Sequence, residues 1–167
     1  MRIAVSGTHH VGKSTLVERL AEALPGYTTV QEPYFLLEED GYESADPPSL
    51  EDFEAQLERS LTAMEEAGSD ALFDRCPADI LAYLSTLDAE GDADVERIRA
   101  AMQTLDLIVF VPIEERVPLP AHEDADHRRA VAEKLRELLG ELGVEVISVA
   151  GNVRKRVDQV LARVASR

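Results

Sequence analysis

The stretch "GTHHVGKST" spans residues 7–15. It follows the apolar run "RIAVS" (2–6) and precedes "LVERLAEAL" (16–24), whose apolar residues recur at helical spacing. Glycine, four residues, then Gly-Lys-Ser is a pattern that ordinary residue frequencies produce in a chain of this length about once in two hundred sequences. The flanks make an accident rarer still. A phosphate-binding loop needs a strand before it and a helix after it, so that backbone N–H groups turn inward and the helix N-terminus adds its positive dipole.

In that geometry Gly7 and Gly12 permit backbone conformations and a close approach that a Cβ would block. Lys13 reaches the β- and γ-phosphates, and Ser14 places its hydroxyl on Mg²⁺. Thr8, His9, His10 and Val11 complete the loop, and Thr15 adds a contact through its N–H. A metal or catalytic role is open to His9 and His10, although their variable positions also suit solvent-exposed side chains.

Outward from the loop, strand and helix alternate. Strands are predicted at 2–6, 27–31, 70–74, 105–112 and 144–150, being short, apolar and β-branched and followed by turn or cap residues. Helices are predicted over Lys13–Leu24, Ser49–Ala67, Pro77–Leu87, Ala93–Thr104, Asp124–Leu142 and Val153–Ser166, several of them stopped by glycine. This alternation predicts an α/β fold of three layers, a five-stranded parallel sheet with helices on both faces. No linker or internal repeat divides residues 1–167, so a single domain is expected. Two irregular stretches follow strands, "EEDGYESADPP" (38–48) and "IEERVPLPAHEDADH" (113–127), and both fall at the carboxyl edge of the sheet, where such folds bind ligands. A lid is expected over 113–130.

The chain has 167 residues, 45% hydrophobic and 30% charged, the balance of a folded protein with a real core. Its formal charge of −16 repels a polynucleotide backbone, and the only lysines are Lys13, Lys134 and Lys155, so nucleic acid is excluded as a partner. No apolar run approaches the roughly 20 residues that span a bilayer, which excludes membrane insertion. A lone cysteine, Cys76, and a first strand that starts at once without a leader point to a reducing cytoplasm.

The remaining motifs narrow the chemistry. No Asn-Lys-x-Asp segment follows a later strand, so guanine reading is absent and ATP is the expected nucleotide. The segment "ALFDRCP" (71–77) ends in Asp-Arg rather than the Asp-Glu that polarises an attacking water. Asp74 can join the Mg²⁺ shell or take a proton, and Arg75 can clamp an anionic group. A further carboxylate, Glu32 in "VQEPY", ends another strand at the same sheet edge. These features favour transfer of phosphate to a small molecule. A water-directed ATPase and a nucleotide-binding regulatory protein are the alternatives.

In order and spacing, "GTHHVGKST", "VQEPY" and "FDRCPADILAY" resemble the small P-loop kinases of the nucleoside and nucleotide kinase group, and most of all the AAA_28-type ATP-binding proteins related to the nicotinamide riboside kinase domain. The resemblance implies a nucleoside- or ribosyl-like acceptor, with Glu32 as general base, Asp74 as a magnesium or base residue and Arg75 as a phosphate ligand. Cys76 stands where those kinases often carry Ser. The resemblance also implies lid arginines, for which Arg116, Arg128 and Arg129 are the candidates, and a backbone segment beside the adenine at Gly151 and Asn152. Tyr34, Phe35 and Tyr42 are candidates to line the acceptor pocket, whose specificity is expected from residues 33–60. The chain is expected to work as a monomer or homodimer.

Overall fold

A computed structural model describes residues 1–87, 94–114 and 124–167. Five strands, β1 (Arg2–Ser6), β2 (Thr28–Val30), β3 (Ala71–Asp74), β4 (Leu107–Phe110) and β5 (Val146–Ser148), form one sheet in the order β2-β3-β1-β4-β5. Every pairing is parallel. The register sets Val5 opposite Asp74 and Ser6 opposite Phe110, so the loops after β1, β3 and β4 leave from one edge. The chain departs from β1 in both directions, and the crevice at that reversal of strand order is where open parallel sheets take ligands.

Strand residues alternate between two cores, as the period of two requires. Ala4, Ala71, Phe73, Ile108 and Phe110 face one cluster, built with α3 (Leu50–Glu66), α4 (Pro77–Thr86), α5 (Val95–Met102) and α6 (Ala125–Glu141). Ile3, Val5, Leu72, Leu107 and Val109 face the other, built with α1 (Lys13–Ala23) and α7 (Val153–Ala165). Burial on both faces explains why β1, β3 and β4 read as unbroken apolar runs. The edge strands β2 and β5 are shorter than their sequence suggests, because only three residues of each find ladder partners.

One element was not expected. Pro33–Glu39 forms a two-turn helix, α2, with Pro33 in its first turn and Glu32 at its N-cap. Proline there has no intrahelical N–H to lose and brings its φ already set, so a "EP" reading as strand exit is equally a helix start. Half of the expected lid, 115–123, lies outside the described residues, and its last part, 125–130, is the first turn and a half of α6. Among the described residues no helix is long and apolar enough to cross a membrane.

Candidate active site

The loop after β1 is tightly wound. Gly7 has φ 149°, and a Cβ on it would stand 2.6 Å from the Val111 carbonyl oxygen, so no other residue fits without moving the backbone. Gly12 is left-handed at φ 85° and is the N-cap of α1, which has no side-chain cap. The N–H groups of that first turn, including those of Ser14 and Thr15, are therefore free to bind an anion. Lys13 is 5% exposed and donates to the Thr8 carbonyl at 2.6 Å. Burial, then the like charge of Arg75, brings its ammonium pKa down to about 7, against the pull of Asp79, Glu32 and Asp74.

At the end of β3, Asp74 and Arg75 face the loop. Burial first, and then the Glu32 charge, raises the pKa of Asp74, while a hydrogen bond with Ser14 and the charges of Lys13 and Arg75 oppose that shift. Asp74 Oδ1 is buried without a hydrogen-bond partner. Arg75 adopts φ 77°, a left-handed conformation that costs a non-glycine residue about 1 kcal/mol or more. Its guanidinium is ion-paired with Glu32, donates to the Gly7 carbonyl at 3.3 Å and lies 3.9 Å from Asp79 Oδ1. Burial works against the charge of Arg75, but the carboxylates around it more than offset this and raise its pKa.

Two residues that the sequence did not single out organise this corner. Asp79, fully buried in the first turn of α4, accepts from the Gly7 N–H at 2.8 Å and from the Cys76 N–H at 3.0 Å. The Cys76 thiol also donates to it, at 3.2 Å. Cys76 thus serves as a helix cap, and burial followed by the Asp79 charge pushes its thiol well up, away from thiolate chemistry. Tyr83, on the next turn of α4, accepts from the His9 N–H at 3.1 Å through its hydroxyl, which lies 2.6 Å from His9 Nδ1. Its ring stacks on Phe53 at 5.4 Å between centroids.

Beside the loop opens a cavity of about 570 Å³. Its walls include His9 of the loop, the Glu32–Arg75 pair, Tyr34 of α2, Phe53 and Gln56 of α3, Tyr83 of α4 and His127 of α6. Tyr34 lines it as expected. Phe35 is instead 47% exposed, and Tyr42 donates to Asp52 at 3.0 Å, where it braces the start of α3. The walls also extend beyond residues 33–60, to α4 and α6.

The candidate lid arginines and the adenine-side pair are placed as follows. Arg116 lies outside the described residues. Arg128 is 2% exposed and donates to the carbonyls of His9 and His10, both at 3.2 Å. Arg129 is exposed and pairs with Asp126 within its own helix. Gly151 and Asn152 form the turn into α7, with the Gly151 N–H donating to Glu114 at 2.9 Å and the Asn152 side chain accepting from Lys155 N–H at 3.0 Å. Arg156 of α7, which the sequence reading passed over, is buried and donates to the Val11 carbonyl at 2.7 Å and to Glu114 at 2.9 Å.

A phosphate loop on β1, carboxylates at two neighbouring strand ends and a cavity lined by Glu32 agree with what the family comparison finds. The model of the AAA_28 family, an AAA domain, matches residues 2–156. The chain belongs to this AAA_28 family. No curated protein matches it. Among solved structures, deoxyadenosine kinase from M. mycoides superposes with a TM-score of 0.71 at 14% identity, with all of both chains covered. The NadR protein in complex with NR gives 0.68 at 20% identity over 98% of this chain and 48% of that one. Shikimate kinase from Aquifex aeolicus gives 0.66 at 15% identity over 99% and 97%. At these identities the likeness establishes the fold, that of the P-loop kinases with their three-layer α/β architecture.

Proposed function

We propose that this AAA_28 protein is an ATP-dependent phosphotransferase acting on a hydroxyl of a small molecule. The observation that carries the reading is a shared wall. Arg75 touches the phosphate loop through Gly7 and the cavity through Glu32, and His9 belongs to both. The 570 Å³ cavity beside the phosphate loop has room for an acceptor larger than water. That several structures of this fold bear kinase names supports the same reading.

In the proposed reaction the acceptor oxygen forms a bond to the γ-phosphorus, the bond from that phosphorus to the β,γ-bridging oxygen breaks, and ADP leaves. Glu32 takes the acceptor proton, held in place by Arg75. Lys13 and the loop N–H groups neutralise charge on the β- and γ-phosphates, and Arg75 meets the transferring group on its acceptor side. The Ser14 hydroxyl and Asp74, whose Oδ1 is buried and unpartnered, suit a hard divalent cation and would hold Mg²⁺, which when bound neutralises phosphate charge. The acceptor group in this reading is a hydroxyl, which must lose a proton on transfer and so suits a carboxylate base at Glu32 on the cavity wall.

The test is a screen of nucleosides, ribosylated vitamins and sugar alcohols with ATP, scoring ADP release that depends on the acceptor. Lys13→Ala is expected to abolish release. Glu32→Gln is expected to bind ATP normally and slow transfer by about a hundredfold or more, the usual loss of a general base. Equal ADP release with every acceptor and with none would refute the kinase reading.

A further inference from the structure

The five consecutive carbonyl oxygens of the phosphate loop each accept a hydrogen bond from a cationic side chain. Arg75 donates to Gly7, Lys13 to Thr8, Arg128 to both His9 and His10, and Arg156 to Val11. A loop that turns its N–H groups toward a central anion must turn its carbonyls away from it. A charge-assisted donor on each carbonyl holds that orientation and polarises the peptide units whose N–H groups point inward.

Two of the donors come from far along the chain and lie where cations are expensive. Arg128 shares the buried face of α6 with Val131, Ala132 and Leu135, and Arg156 shares that of α7 with Val160. Arg156 is paired with Glu114, whereas Arg128 has no carboxylate within ion-pair distance among the described residues. Burying a guanidinium is costly, and the hydrogen bonds that both arginines donate to the loop carbonyls offset part of that cost. Arg156 also lies against the end of the loop, where a Cβ on Gly12 would stand 3.4 Å from its Nη1.

We propose that Arg128 and Arg156 are positioning residues of the nucleotide site, which act through the carbonyls of His9, His10 and Val11 to hold the loop in its phosphate-binding form. For Arg128 this replaces the role of a mobile lid arginine. The proposal rests on the reading of residues 7–15 as an ATP phosphate site. It predicts a loss of affinity that grows with the number of phosphates, because the loop N–H groups serve the β- and γ-phosphates.

The experiment is calorimetric titration of the full chain with ATP, ADP and AMP for the wild type and for Arg128→Ala, Arg156→Ala, Arg128→Lys and Arg156→Gln, with folding followed by circular dichroism. Both alanine variants are expected to lose about tenfold or more in ATP affinity, the scale of a lost charge-assisted hydrogen bond, and less than about twofold in AMP affinity. Arg128→Lys keeps one charged donor and Arg156→Gln one neutral donor, so each should recover part of the loss. ATP binding within twofold of wild type in a folded alanine variant would overturn the proposal, as would equal losses for ATP and AMP. If an alanine variant does not fold, the Lys and Gln variants decide by the same ATP-to-AMP ratio. Wild-type protein that binds no ATP would refute the phosphate site itself, while wild-type binding with indifferent variants refutes only the brace.

Discussion

Lys13 has a pKa of about 7, where an ordinary lysine has 10.5, because its ammonium is buried beside Arg75. A lysine with a lowered pKa in the folded state binds fewer protons than the unfolded chain between those two values, so the destabilisation it causes is full below pH 7 and fades as pH rises toward 10.5. Lys13→Met is therefore expected to melt higher than wild type at pH 6, in the absence of nucleotide, with the gap closing by about pH 10. Phosphate oxygens restore the charged form. At pH 8 ATP binding should take up close to one proton in wild type and none at this site in Lys13→Met, read from the buffer dependence of the calorimetric heat. A midpoint difference that is flat with pH would disprove the buried-ammonium account. Lys13 itself was legible from the loop pattern, and so were Glu32, Asp74 and Arg75 from strand ends. Arg128 was legible as a candidate residue, and Arg156 was missed. Both stand at core-facing helical positions, Arg128 three residues before Val131 and Arg156 four before Val160, and a charge inside an apolar stripe was the available signal.

At the scale of the element, α4 joins the two halves of the site. Its N-terminal carboxylate Asp79 caps the helix and holds the loop through Gly7, and its Tyr83 holds the loop through His9 while walling the cavity. Asp79→Asn is expected to break this. One amide oxygen can still accept from Gly7, but the amide NH₂ must then face the Cys76 N–H, a buried clash of donors that costs about 2 kcal/mol. For a chain of this size that is a fall of roughly 4–8 °C in melting temperature, with nucleotide affinity reduced as the loop loosens. An unchanged melting curve would show that the Asp79 contacts are dispensable. The helix could be read from "PADILAYL", but its link to the loop could not, because it joins residues 72 positions apart. The α2 helix was missed for a local reason. Seven residues give too short a period to distinguish a helix from an irregular strand exit, and only Pro33 marked its start.

At the scale of the molecule, the sheet and its two cores were the most legible part, since strands buried on both faces leave continuous apolar runs and each is followed by a helix with one apolar stripe. Charge is distributed less evenly than the sequence total suggests. Four of the 17 Lys and Arg residues, Lys13, Arg75, Arg128 and Arg156, are buried around one loop, and the aspartates Asp52, Asp74 and Asp79 are buried as well, so the exposed surface carries essentially the whole of the net −16. Surface ion pairs such as Arg163 and Arg167 on Glu145 offset only part of this. Repulsion among the exposed carboxylates must then oppose folding, and salt must relieve it. Raising NaCl from about 0.02 M to about 0.5 M, which shortens the Debye length from roughly 20 Å to under 5 Å, is expected to raise the melting temperature of the nucleotide-free protein by several degrees. Screening saturates once the Debye length falls below the spacing of the charges, so the rise should level off near the upper concentration, whereas strengthened apolar burial would keep climbing. A melting temperature that falls with NaCl would show instead that attraction within the arginine networks outweighs the repulsion of the acidic surface.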